Sequence, residues 1–349
     1  MACLVAAGLP GDGTMTSARS LVIAPQWIGD AVMTEPLLRR LQARGETLTV
    51  GALPWVAPVY RAMPQVAAVI ELPFAHGGLQ WNARRSLARQ LRGQFDTAYV
   101  CPNSLKSALL PFLASIPKRV GYLGEARVGL LTQRLKNPPK TQRPPMVAFY
   151  SALSGEQDLG HDRPQLHLNA DELAQALATL GLQSAGYYVF APGAEYGTAK
   201  RWPAAHFAEL ARRLDRPVVL LGSSKEFALC EEIAAPVNAE QTGKCRNFAG
   251  KTSLFHAFSA IAAAKSIISN DSGLMHVAAA LGVAQVALFG SSSPLHTPPL
   301  NDKASVLWLK NQPDYQPPLD CAPCFARECP LGHTRCLVDI TPNQVLQNI

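Results

Sequence analysis

A chain of 349 residues, 48% hydrophobic and only 16% charged, is too apolar for a disordered protein and too long for one ordinary core, so two domains are expected. The net charge of +7 is unevenly spread: residues 1–150 carry 17 Lys+Arg against 7 Asp+Glu, and residues 151–349 carry 15 against 18. A basic first half suits a polyanion, an anionic membrane surface or a phosphorylated acceptor; the plainer reading is a solvated helix face bearing Arg84, Arg85, Arg89 and Arg92. No apolar run reaches the roughly 18 residues of a membrane span. The apolar start, Met1–Pro10, lacks the basic region and cleavage site of a signal peptide. Residues 1–18 read as a loose extension, with Met15 as an alternative start.

From there short apolar runs alternate with amphipathic ones. Leu21–Ala24, Leu48–Ala52, Val69–Leu72 and Thr97–Cys101 predict strands, and Asp30–Arg44 and Asn82–Gly93 predict helices. The pattern loosens between Lys136 and Pro164, where five prolines allow only a short helix at Met146–Leu153, and this stretch reads as an interdomain crossing. A second series follows, with strands at Tyr187–Ala191, Val218–Leu221, Ser266–Ser269 and Gln285–Phe289. Its helices are Glu172–Leu180, Ala204–Leu214, Leu254–Ala264 and Gly273–Leu281. Such alternation implies an α/β protein with two Rossmann-like domains, a basic one at 19–165 and a second at 166–349. Their parallel sheets would direct the carboxyl ends of their strands into a shared cleft. Neither half carries a dinucleotide fingerprint. The glycines at Gly8–Gly13 precede the first strand, which argues against a nicotinamide-dependent dehydrogenase.

Three strand-to-helix loops carry chemistry. Pro25–Asp30 places a carboxylate at the top of the first strand, either as a general base or as a helix cap, and Gly29 permits close backbone approach. Ala191–Pro203 follows the first strand of the second half. Gly193 and Gly197 keep it open around Glu195 and Tyr196, and Lys200-Arg201 offers cations to a diphosphate. Ile267–His276 runs a buried strand into a helix, so the amides of Ser272 and Gly273 can meet an anion. There Asp271 can cap the helix or bind sugar hydroxyls, and His276 faces either ligand or core. Glu226, in the loop Leu221–Glu226, can hold a ribose diol, and the loop Gly250–Leu254, with Thr252, can line a base pocket; Phe289–Pro294 is a polar turn, and each of the three reads equally well as an ordinary βα loop. The spacing Cys321-x2-Cys324-x4-Cys329-x6-Cys336, near His333, lacks the paired CxxC pattern of a zinc site, and reduced or pairable thiols in a surface loop are the expectation.

Taken together, the Gly29-Asp30 loop, the Gly193–Pro203 loop and Asn270–His276 resemble the ADP-heptose:lipopolysaccharide heptosyltransferase family from about Leu21 onward. The tail Cys324–His333, then Asp339-Ile340-Thr341-Pro342, and the turn Ser292–Leu300 are most similar to its heptosyltransferase II branch. The resemblance implies a GT-B fold and inverting transfer without a cofactor or catalytic metal. It assigns Asp30 as catalytic base and Lys200 as the partner of the donor phosphates. Gly193, Glu195, Tyr196, Glu226, Thr252, Asp271, Ser272, Gly273 and His276 fall on the donor side and Gly29 on the acceptor side, where the basic charge of the first half offers Arg84 and Arg85 to an anionic acceptor. It further implies an ADP-heptose donor and an anionic inner-core acceptor carrying Kdo and a first heptose, with no nucleic-acid partner. The enzyme would be cytoplasmic, touching the inner membrane peripherally. A heptosyltransferase I-type acceptor and a non-catalytic sugar-nucleotide binder are the competing readings.

Overall fold

In the computed structural model, which describes residues 17–349 apart from 75–77, 140, 141, 158, 160 and 161, the apolar runs pair into two six-stranded sheets. The first contains β1 (Arg19–Ile23), β2 (Thr47–Ala52), β3 (Val66–Glu71), β4 (Thr97–Val100), β5 (Lys118–Tyr122) and β6 (Gln133–Leu135). The second contains β7 (Tyr188–Ala191), β8 (Val218–Leu220), β9 (Cys245–Asn247), β10 (Ile267–Asn270), β11 (Gln285–Leu288) and β12 (Ala304–Leu307). Every pairing is parallel. The orders are β3-β2-β1-β4-β5-β6 and β12-β11-β10-β7-β8-β9. Each is the doubly wound order, which reverses direction beside its first strand: between β1 and β4, and between β7 and β10. Ligands of such sheets sit at that reversal, beyond the carboxyl ends of the strands.

Burial explains which strands the sequence makes plain. β4, β7, β10 and β11 are buried at every residue, as expected of strands covered by helices on both faces. The short strands β5, β6, β9 and β12 carry polar residues or lie at sheet edges, and periodicity alone does not mark them. The single helix expected at Asp30–Arg44 is two, Ile28–Met33 and Glu35–Ala43. Pro36 sits in the first turn of the second, where its missing N–H costs nothing but its ring would obstruct a continuous helix. Residues 1–16 of the expected extension lie outside the described residues; Ala18 already accepts the Thr47 amide beside β1.

The crossing is tied to both bodies. Its helix Met146–Ser151 packs on the first domain: the Tyr122 hydroxyl donates to the Phe149 carbonyl (2.7 Å), and the two rings stack at 3.9 Å. Arg40 pairs with Asp162 (2.5 Å) and Glu156. At its ends the Met146 amide donates to the His296 carbonyl, and the Leu166 amide to Ala280, both in the second domain.

Beneath the crossing lies Glu35, fully buried, accepting from Gln65 Nε2 (2.6 Å) and the Gln165 amide (3.1 Å). Burial outweighs the nearby Arg39 and raises its pKa to about 7. The folded state therefore holds this proton where the unfolded chain has lost it. The resulting stability is complete below the unfolded pKa of about 4.5 and is lost as pH rises through about 7, a span on the order of 3 kcal/mol. Thermal unfolding between pH 4.5 and 8 should show this fall, and Glu35→Gln should make it shallower.

Candidate active site

The two reversal points face each other. Asp30 follows β1, Lys200 follows β7 and Asp271 follows β10. The contact that joins them is made by two helix starts, Ile28–Met33 and Gly273–Ala280. A Cβ on Gly29 would stand 2.8 Å from His276 Cδ2, and one on Gly273 would stand 3.0 Å from Ile28 Cβ. Glycine is required at both places for closeness of approach. Gly29→Ala is expected to push the His276 ring aside or part the domains. Activity should drop about tenfold or more, with little change in unfolding temperature, because a 1 Å misplacement at a reacting centre suffices for such losses; steady-state kinetics alongside calorimetry checks this.

Asp30 is the third residue of its helix and Trp27 occupies the cap position, so the capping role considered for Asp30 is not the one it plays. Asp30 is half-buried; its carboxylate accepts from the Tyr150 hydroxyl and lies near the buried Tyr60 and Cys101. Burial is the main cause of a pKa raised to about 6. The Tyr150 bond opposes that rise, Asp271 adds to it, and Lys200 opposes it. Both groups of the second domain therefore act on the charge of Asp30 across the cleft.

On the far wall Lys200 Nζ donates to Asp271 Oδ2 at 2.5 Å, with Asp271 buried. Ser272, not Asp271, is the cap residue of the Gly273–Ala280 helix, and its buried Oγ has no hydrogen-bond partner among the described residues. Asn270 locks the two loops together: its Nδ2 donates to the Pro192 carbonyl (2.7 Å) and its Oδ1 accepts from the Trp202 amide (3.0 Å). His276 is buried, and desolvation lowers its pKa to about 4, so a neutral imidazole faces the cleft at neutral pH.

The other residues expected on the donor side stand in the loops that follow β7, β8 and β9. The Glu226 carboxylate lies against Gly193 and Gly222, where a Cβ on either glycine would collide with it. Its Oε2 is held by the Ser223 amide (2.7 Å) and hydroxyl (3.1 Å) in a capping box. Thr252 stands in the neighbouring loop, which is tied back by the Gly250 amide donating to Gly222. Glu195 is exposed and pairs with Lys225 at 3.1 Å. The Tyr196 ring lies between Lys200 and Arg327, 5.5 and 5.1 Å away.

In the first domain the expected solvated arginine face needs a correction. Arg85, Arg89 and Arg92 are exposed, but Arg84 is buried. Its guanidinium donates to the carbonyls of Leu79 (2.8 Å) and Lys106 (2.9 Å) and lies 4.0 Å above the Phe74 ring. Arg84 thus anchors a loop, and any cationic contact made by that face falls to its exposed neighbours, Arg85 first.

Some neighbours of the site are given no role there by the sequence. Tyr150 sits in a proline-bounded segment that reads as connection. Ser291 and Ser292, in the polar turn after β11, are buried with hydroxyls unpaired among the described residues. The cysteine-rich loop buttresses the Lys200 loop: Arg327 O accepts from the Ala199 amide (3.0 Å), Phe325 N donates to Ser291 O (2.7 Å), and Tyr196 Oη donates to Phe325 O (3.0 Å). Cys321, Cys324, Cys329 and Cys336 are free thiols bordering one small cavity beside His333. Among the described residues no three His, Cys, Asp or Glu side chains stand in metal-ligating geometry.

The family model of glycosyltransferase family 9 (heptosyltransferase) matches residues 84–334. The lipopolysaccharide heptosyltransferase 2 of Escherichia coli K12 is 44% identical over 345 residues, covering 94% of this chain and 97% of that protein. The lipooligosaccharide heptosyltransferase 2 of Haemophilus influenzae is 37% identical, with the same coverage, 94% and 97%. A solved structure of the E. coli ADP-heptose LPS heptosyltransferase II superposes with a TM-score of 0.81 at 41% identity, covering 95% of this chain and 97% of that one. With its two facing doubly wound sheets and the carboxylate, lysine and glycine contacts between them, the chain belongs to glycosyltransferase family 9, the heptosyltransferases.

Proposed function

We propose that the protein transfers L-glycero-D-manno-heptose from ADP-heptose, with inversion, to the first heptose of a Kdo-lipid A inner core during lipopolysaccharide core synthesis. The observation that carries this reading is the placement of Asp30 opposite the Lys200–Asp271 pair across the Gly29–Gly273–His276 contact. Inversion needs base and leaving group on opposite faces of the sugar, and a carboxylate on one domain facing a cation on the other provides that. Asp30 removes the proton of the acceptor hydroxyl as its oxygen bonds to the heptose C1. The C1–O bond to the diphosphate breaks, and its electron pair leaves with ADP. Lys200 and the amides of Ser272 and Gly273 take up the charge growing on the diphosphate, and the neutral His276 holds the sugar end. Glu226 and Thr252, with Gly193, Glu195 and Tyr196, line the side on which the nucleoside would lie; Gly29 and Arg85 face the acceptor.

The domain division follows at residues 165/166, with the basic part, 19–165, receiving the anionic acceptor and 166–349 the donor. Among the described residues no helix is long and apolar enough to cross a membrane. We place the enzyme in the cytoplasm, touching the inner membrane through its basic domain. The test is a transfer assay with ADP-heptose and two acceptors, Kdo2-lipid A with and without its first heptose, read by mass spectrometry. The proposal requires gain of one heptose on the heptosylated acceptor; gain only on the unheptosylated one would place the enzyme one step earlier.

A further inference from the structure

The chain has five tryptophans. Trp202 and Trp308 are buried, whereas Trp27, Trp55 and Trp81 are 46%, 46% and 44% exposed. All three exposed rings stand in connections leaving the carboxyl ends of strands in the first domain. Trp27 follows β1 and lies three residues before Asp30, Trp55 follows β2, and Trp81 opens the helix Trp81–Leu91 that follows β3. They are set in place by specific bonds. Trp55 Nε1 donates to the Gln26 carbonyl (3.0 Å), fixing that ring against the loop that carries Trp27 and Asp30. The Trp81 turn is pinned by the buried Arg84, which ties Leu79 to Lys106 in the helix Leu105–Leu113 that follows β4. It is directed by Gln80, whose φ of 49° lies in the left-handed region that a side-chain-bearing residue adopts at a cost. β1, β2 and β3 are neighbours in the sheet, so the three rings leave it beyond adjacent carboxyl ends, and exposed apolar groups gathered in one region mark a binding surface.

We infer that Trp27, Trp55 and Trp81 form a stacking platform for the sugar rings of the acceptor, leading from the cleft rim to Asp30. This deepens the reading above and rests on it. A pyranose presents a face of C–H bonds between its hydroxyls, and an indole is the side chain best able to cover such a face while its edge remains wet. The platform also answers a question of charge. Arg84 is spent on backbone carbonyls, so the exposed cations beside the platform are Arg85 and Arg89, one and two turns along the helix that Trp81 starts. Aromatic faces for the rings, with guanidinium groups beside them for carboxylates or phosphates, match an anionic oligosaccharide better than a neutral one.

The experiment uses full-length enzyme, ADP-heptose and a deacylated, water-soluble heptosyl-Kdo acceptor, so that no bilayer is present. Trp55→Ala and Trp81→Ala should each raise the acceptor KM about tenfold or more, with the ADP-heptose Kd unchanged, and Trp55→Phe and Trp81→Phe should recover most of the loss. The phenylalanine variants also keep the test decisive if an alanine variant folds poorly. Unchanged acceptor KM in both alanine variants would overturn the platform. So would a defect seen only when the acceptor sits in anionic vesicles, since the rings would then be binding the bilayer. Absence of any transfer by the wild-type enzyme would instead count against the substrate reading on which the platform rests.

Discussion

Asp30→Asn should lower kcat by about 10²–10⁴-fold while leaving ADP-heptose binding within a few-fold of wild type. The substitution keeps the shape of the side chain and removes only its capacity to take a proton. Asparagine can still accept from the Tyr150 hydroxyl, so the floor of the site should persist. Calorimetric titration of ADP-heptose against the variant, beside a transfer assay, separates the two quantities. Retained activity within tenfold would exclude Asp30 as the base; loss of donor affinity would make it a binding residue.

The same group fixes the pH dependence. The base works ionised, and burial sets its pKa at about 6. Activity should therefore be level above that value and fall tenfold per pH unit below it. A carboxylate with an ordinary pKa near 4 would hold its activity two units further down. Tyr150→Phe removes the hydrogen bond that favours the charged form, so the acid limb should move to higher pH. A shift in the opposite direction, or none, would show that Tyr150 does not act on Asp30.

Much of this site was legible because both of its walls are built by the same local event, a buried strand running straight into a helix. Strands β7 and β10 are buried throughout, and only two residues part β10 from the helix after it, so the positions of Asp271 and Gly273 follow nearly from the strand assignment alone; Lys200 lies in a longer loop and is marked by that loop's own motif. What did not follow lies where tertiary contacts override local pattern. Arg84 looks like its exposed neighbours in sequence, yet it is buried because two carbonyls need its donors. The break at Thr34 depends on Pro36 and on a Thr34–Tyr60 hydroxyl contact (3.0 Å) that joins elements far apart in the chain. Tyr150 reaches Asp30 through a fold-level coincidence, the passage of the crossing beside that carboxylate. The edge strands β6 and β12 are short and partly exposed, so no apolar period reports them.

Lys200→Met should be the other severe lesion, costing about 10²–10³-fold in kcat through lost stabilisation of the leaving diphosphate. The partner of Lys200 is Asp271, which is buried and whose Oδ2 takes the Lys200 bond at 2.5 Å. Removing the lysine leaves that carboxylate uncompensated, and breaking such a pair from one side is destabilising. Part of the activity loss could then reflect a distorted loop. The double variant Lys200→Met/Asp271→Asn separates the causes, because it removes the stranded charge without restoring the cation. If Lys200 acts on the diphosphate, the double variant should regain thermal stability but not kcat. If it serves only to neutralise Asp271, the two should recover together. The pH profile gives a third reading from the same proteins. Lys200 lowers the Asp30 pKa and Asp271 raises it, so the acid limb should move above pH 6 in Lys200→Met, move below it in Asp271→Asn, and return toward 6 in the double variant. That pattern would establish that the two walls of the cleft share one electrostatic field, and that the cation held for the leaving group also keeps the base ionised.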